Sequence, residues 1–305
     1  MESSRAMTRS IVLPGHTLGA GPVGGRAWSK LRQDKAGLLG LAIVTVFLLI
    51  TMSVLFGWLG QGWSVADGGR WEPVSVDHWL GTNLLGQDIF QRAVFSLRTA
   101  FEIGLVVSLL STLLGALLGA LAGWYNGETG RTWVDGGILW IMGVLDSIPF
   151  YLFVAAVAYA LQGWPWAMHI AMIATFWTST GRLIRAEAMR IKSREFVLSA
   201  RAIGLPAPLI LFRHVLPNTL HILLVQATIA FVAAIKTEVI LSFLGLGVRD
   251  SVSWGLMLAE STQEVLAGHF NNFLAASLML FVLLLGFNLI SDALQDAFDP
   301  RQASL

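Results

Sequence analysis

The 305-residue chain contains no cysteine. Disulfides, thiol catalysis and cysteine-ligated metals are therefore excluded. Charged residues make up only 13% of the chain, about half of the roughly 25% found in soluble domains. Much of the surface must therefore face something other than water. A net charge of +1 gives no reason to expect a nucleic-acid partner. No G-x-x-x-x-G-K-[ST] motif occurs, so nothing in the chain is expected to cradle nucleotide phosphates. The six histidines, among them His169 and His214, form no H-E-x-x-H or other ligand spacing, and both are expected to be hydrogen-bonded structural residues. Paired catalytic carboxylates and a Ser/His constellation are also missing, so neither a metal site nor an enzyme is expected.

Apolar residues are abundant instead, at 55% of the chain, with a mean hydropathy of +0.68. About 20 apolar residues are needed to cross a bilayer as a helix. Residues 1–35, with scattered arginines and small residues, read as a cytoplasmic tail. The uncharged run 36–60 is a first span, and 61–100 an external, periplasmic loop. Ile103 to Tyr125 is a second uncharged run. The 35-residue uncharged run from Ser147 to Gly181 is interrupted by Gln162-Gly163-Trp164-Pro165, a turn signal. With a start near Gly136 and an end near Arg185 it holds the third and fourth spans. Thr219 to Val248 and Phe270 to Ser291 complete six. Fifteen Lys and Arg fall on the side of both termini and four on the other, which sets those termini in the cytoplasm. The expected fold is an all-α integral membrane protein of six transmembrane helices.

The loop between the fourth and fifth spans has its own design. Ser193 is placed to cap a helix, and Glu195 suits its first turn. Phe196, Ala200 and Ile203 form an apolar stripe at helical spacing. Gly204 can take a left-handed C-terminal turn. A second short helix, about Leu209 to Leu216, ends where Pro217 separates it from the fifth span. Two readings stand for this hairpin: a helix lying on the membrane surface, or an element docking into a soluble partner's groove.

Leu198-Ser199-Ala200, Gly204 and Leu216-Pro217 resemble the cytoplasmic "EAA" loop of ABC importer permeases, with Leu198 in place of its Glu and Ser199 in place of its Ala. Three more blocks resemble the dipeptide, oligopeptide and nickel branch of that family. They are His78 to Asp88 (HWLGTNLLGQD), Leu241 to Gly247 with Ser253-Trp254-Gly255, and Asn288 to Arg301. The first departs from the family pattern at Asn83 and Gln87.

The resemblance implies the second, C-type permease subunit of an importer in a bacterial inner membrane, with a permease core over 101–292 and a cytoplasmic tail over 293–305. It implies a homologous sister permease forming a heterodimer, two ATP-binding subunits, and a periplasmic or lipid-anchored solute-binding protein. ATP and Mg2+ would sit on the partners, and this chain would carry no cofactor. The 193–217 hairpin would be the coupling helix, contacting the ATPase through Phe196, Ser199, Ala200, Arg201, Gly204, Leu216 and Pro217. The cargo would be a peptide, with nickel or another small solute as the alternative.

Asp146, Pro149 and Glu238 are the pathway or gating candidates. A carboxylate inside the bilayer is costly, so Asp146 should face protein or water; the bland reading is a bond to a neighbouring helix. Pro149 should kink its span. Lys236 and Glu238, two residues apart, lie on different helix faces, and both also read as structural. Gly115, Gly119 and Gly123 predict close helix packing. An ion-coupled secondary transporter is the competing function. It needs midplane ionisable groups, and Asp146 is the one candidate.

Overall fold

The computed structural model describes residues 33–161, 164–247 and 251–298, and among them all regular elements are helices, with two isolated β-bridges. Helix α1 is Lys35–Leu55, α2 Ile89–Tyr125, α3 Thr132–Ser147, α4 Phe150–Ala160 and α5 Ala167–Lys192. A short α6, Glu195–Ala202, precedes α7, Ala207–Ile210. The run then continues as a π turn (Leu211–Val215), a 3-10 turn (Leu216–Thr219) and α8, Leu220–Phe243. Helices α9, Trp254–Leu266, and α10, Asn271–Phe298, complete the order. The first crossing thus stops at Leu55 rather than Gly60. Helix α2 starts at Ile89, twelve residues inside the stretch read as external loop.

Four helical runs are long and apolar enough to cross a membrane: α1, α2, Ala207–Phe243 and α10. The α3–α4 pair makes a fifth if its two helices are one crossing. Its axes differ by 93°. Pro149 therefore breaks the span where a kink was expected. The residue before a proline is driven out of the helical region, and Ile148 sits at φ −93, ψ 132. Helix α5 is long enough but carries its charges, from Arg182 to Lys192, in its last three turns.

Helix α2 is the centre of the bundle, packing along α5 and α8 and touching α1, α3 and α10. Its glycines explain the closest seam. A Cβ at Gly115 would lie 2.6 Å from the Trp177 carbonyl oxygen, and at Gly119 and Gly123 it would meet the carbonyls of Gly181 and Arg185 more closely still. Each step of four residues on α2 matches a step of four on α5, so the two helices run parallel with their backbones in contact. The Lys192 ammonium donates to the carbonyls of Trp124 and Asn126 at 2.7 and 3.0 Å, which puts both C-termini at one end.

Local sequence explains the opposite end. Asp88 caps α2 by accepting from the Gln91 amide at 2.8 Å and meets the His78 ring at 2.9 Å. Helix α8 closes at Gly245, φ +80, with the Leu246 amide returning to the Leu241 carbonyl at 2.8 Å. Ser253 caps α9, and the Trp254 indole donates to the Ala93 carbonyl at 3.1 Å. Helix α9 anchors both the loop before α2 and the first turn of α2: the Leu84 amide donates to Glu264 at 2.6 Å and Arg92 to Glu260 at 2.7 Å.

Candidate functional site

The hairpin after α5 is built differently from its sequence expectation at several points. Ser193 is the C-cap of α5, its hydroxyl donating to the Arg190 carbonyl at 2.9 Å. Arg194 stands at the N-cap of α6, without a side-chain bond. The buried stripe of α6 is Val197 and Ala200, packed on Ile184, Ala188 and Ile191 of α5 and Ile210, Leu211 and Val215 below the turn. Phe196 (45% exposed) and Ile203 (76% exposed) face out, together with Leu198. Of the expected stripe Ala200 does face inward, but Val197 takes the place of Phe196 beside it and Ile203 is left outside.

Gly204 does close the helix. At φ +81 it brings its own amide to the Arg201 carbonyl and the Leu205 amide to the Ala200 carbonyl, at 2.9 and 3.1 Å, a Schellman turn. Its surroundings are open. Pro217 does not separate the second short helix from α8. It cannot donate to the carbonyl four residues back, so the helix widens into the π turn before it and tightens into the 3-10 turn across it. Asn218 and Thr219 donate side-chain hydrogen bonds to the His214 and Leu216 carbonyls at 2.6 and 2.9 Å.

Ala200 is buried, Arg201 and Leu216 are half-buried, and Phe196, Ser199, Gly204 and Pro217 are exposed. Arg201 was singled out from the sequence; its partner was not. Its guanidinium lies 4.3 Å above the Trp124 ring and donates to Glu128 in the α2–α3 turn at 2.7 Å. Lys192 reaches the same carboxylate oxygen at 2.8 Å. Hydrogen bonds from Lys192 and Arg201 hold the Glu128 carboxyl down at a pKa of about 2. The hairpin is thus fixed to α5 by apolar packing and to the end of α2 by charge. One further ion pair ties this end together: Arg185 of α5 forks onto Asp135 of α3 at 2.6 and 2.8 Å.

A second feature is an open cavity on the bundle's side. The break at Ile148-Pro149 opens a cavity of about 710 Å3 between the α3–α4 elbow, α5 and α8. Asp146 and Pro149 line it, with Phe150, Phe176, Gln226 and Lys236 among the other walls. Asp146 is ion-paired with Arg182 of α5 and accepts from the Thr178 hydroxyl at 3.3 Å. Glu238 is not brought to this cavity. It is 3% exposed and accepts from Ser242 one turn on. Lys236 points into the space instead, and no ion pair to it occurs among the described residues. The ring of His169, expected to be hydrogen-bonded, is buried with neither nitrogen partnered among the described residues and rests against Trp166.

A family profile described as the inner membrane component of binding-protein-dependent transport systems matches residues 115–304. The chain is 34% identical, over 91% of its length and 90% of the relative's, to the dipeptide transport system permease protein DppC of Alkalihalophilus pseudofirmus. It is 31% identical to DppC of Bacillus subtilis, over 90% of this chain and 85% of that one. It is also 31% identical to the oligopeptide transport system permease protein OppC of the same organism, over 90% and 88%.

Proposed function

Because this chain belongs to the family of inner membrane components of binding-protein-dependent transport systems, we propose that it forms half of the translocation pathway of an ATP-driven peptide importer. It is a multi-pass membrane protein and a transport permease that works with other subunits of such a system. In this reading the partners are a homologous sister permease, two ATP-binding subunits and a solute-binding protein on the outer side. ATP and Mg2+ act on the ATP-binding subunits, and both termini of this chain lie in the cytoplasm. Helix α5, parallel to α2, serves as a further crossing, and the α3–α4 pair returns the chain between them. The peptide cargo rests on the names of the relatives.

The observation that carries the proposal is the hairpin. Its inner face, Val197 and Ala200, is spent on the bundle, whereas Phe196, Leu198 and Ile203 remain uncovered. Exposed apolar side chains on a rigidly tethered helix suit docking into a groove. Closure of the ATP-binding subunits then moves α6, and α6 carries the lower ends of α5 and α2 with it through Val197, Ala200 and Arg201. Hydrolysis releases them. The ion-coupled alternative loses its one midplane candidate, since Asp146 is paired with Arg182.

Purification of the tagged chain from its native host tests the proposal. A sister permease and two nucleotide-binding subunits should accompany it. Their consistent absence from an actively transporting preparation contradicts it.

A further inference from the structure

The cavity at the α3–α4 elbow has a charge pattern that the assignment to a transporter does not supply. Two charged side chains line it, Asp146 and Lys236. The Asp146 carboxylate is taken by Arg182 and by the Thr178 hydroxyl. The Lys236 ammonium is exposed to the space and has neither an ion pair nor a hydrogen bond among the described residues. With the Asp146–Arg182 pair neutral, the cavity keeps one uncompensated positive charge.

Position makes that charge informative. Lys236 is the seventeenth residue of α8, ~25 Å along the helix at 1.5 Å per residue. It is flanked by the buried Ala234, Ile235 and Glu238, and shares the cavity wall with Thr237, so it is the one charged side chain that α8 turns to the cavity. An unpaired ammonium in a membrane-spanning helix is expensive unless it faces water or a counter-charge. Gln226 offers hydrogen bonds on the same walls, and Phe150 and Phe176, stacked at 5.2 Å, offer an apolar side. One cation, a neutral polar side chain and an aromatic surface together suit a small amphipathic molecule with a carboxylate.

We propose that Lys236 is a substrate-binding residue that receives the carboxylate of a peptide as it passes through the cavity. This rests on the peptide-importer reading above and adds a residue and a chemical group to it. The Asp146–Arg182 pair keeps the cavity's carboxylate from competing for the ammonium.

The test uses cells expressing the whole transporter with Lys236→Gln, Lys236→Arg or Lys236→Cys in this chain. Uptake of trialanine and of trialanine amide is measured, each as the ratio of variant to wild type, so that selection by the binding protein cancels. With Lys236→Gln the ratio should fall about tenfold for the free acid, one charge-assisted contact being lost. It should stay within about twofold of unity for the amide. Lys236→Arg should keep most free-acid uptake. The chain has no native cysteine, so Lys236→Cys places a single thiol on it. Restoring a cation there with an aminoethyl methanethiosulfonate should rescue free-acid uptake, and a sulfonatoethyl reagent should not. If the wild type takes up no amide, this rescue alone decides.

Equal loss for both peptides, no loss with Lys236→Gln, rescue by both reagents, or a thiol that reacts with neither would each overturn the assignment. A wild-type transporter that carries no peptide would instead defeat the functional reading. The reactivity of the thiol at 236 would still report whether the cavity is wet.

Discussion

Arg201 of the hairpin and Glu128 of the α2–α3 turn are 73 residues apart in sequence and 2.7 Å apart in space. Lys192, the last residue of α5, shares the same carboxylate oxygen at 2.8 Å. One acidic side chain therefore ties the end of α2 to α5 and to α6. Both basic partners hold it ionised. Its carboxyl is about a third exposed, and a pair of this kind contributes at most about 1 kcal/mol. Its value to the molecule is geometric: it favours α6 moving together with the ends of α2 and α5.

Glu128→Gln should therefore separate coupling from assembly. The variant complex should form normally and hydrolyse ATP, with uptake per ATP falling several-fold. The same variant gives a pH test. Because the folded pKa is depressed from 4.5 to about 2, the stabilisation from Glu128 is complete above about pH 4.5 and is lost as pH falls from there towards 2. The difference in melting temperature between wild type and Glu128→Gln should be constant between pH 8 and 6 and shrink below pH 4.5. A difference that varies around neutrality contradicts the assignment of the charge.

The loop before α2 should respond to pH in the opposite sense. The hydrogen bond that the His78 ring donates to the Asp88 carboxylate raises the His78 pKa above 6.5, burial opposing it. A raised histidine stabilises fully below pH 6.5, and that contribution is lost as pH rises through the folded value. Limited proteolysis within 61–88 should be faster at pH 8 than at pH 6 in the wild type. In His78→Gln the two rates should converge.

The glycine seam predicts a sharp contrast between positions. Gly119→Ala places a methyl against the backbone of Gly181, which cannot step aside without moving α5. Overpacking of this kind costs about 1–3 kcal/mol. Gly137→Ala, in α3, meets nothing within 4 Å, and alanine favours a helix over glycine by about 1 kcal/mol. Thermal unfolding of the purified complex should show the first lowered and the second unchanged or raised.

Gly204 is constrained by its backbone alone. At φ +81, with open space around it, Gly204→Ala should cost about 1–2 kcal/mol through left-handed strain, and Gly204→Asn less. Gly204→Glu adds a charge to an exposed apolar surface. It should abolish uptake while leaving membrane insertion intact, measured by surface labelling beside transport.

Features set by neighbours in the chain were legible before the fold was known. Gly115, Gly119 and Gly123 share one helix face by spacing alone, and Gly204 before Pro206 announces a helix end. Features set by the far side of a contact were not. The period through Phe196, Ala200 and Ile203 is as helical as the one through Val197 and Ala200; which faces inward depends on where α5 lies, and no local pattern carries that. Asp135 and Arg185 are 50 residues apart, and Glu128 and Arg201 farther, so neither pair has a sequence signature. The elbow at Ile148-Pro149 was visible as a perturbation, but its size was not. A proline inside a long apolar run leaves a bent span and a broken one equally open, and the extended backbone of Ile148 decides for the break.

The most direct test of the account places single cysteines at positions 196, 198 and 203, each outward-facing in a chain that has none of its own. Cross-linking is carried out in the working complex. The account predicts a product between this chain and a nucleotide-hydrolysing subunit from all three positions, with a yield that changes on ATP binding. Transport-competent complexes in which none of the three yields such a product would contradict it.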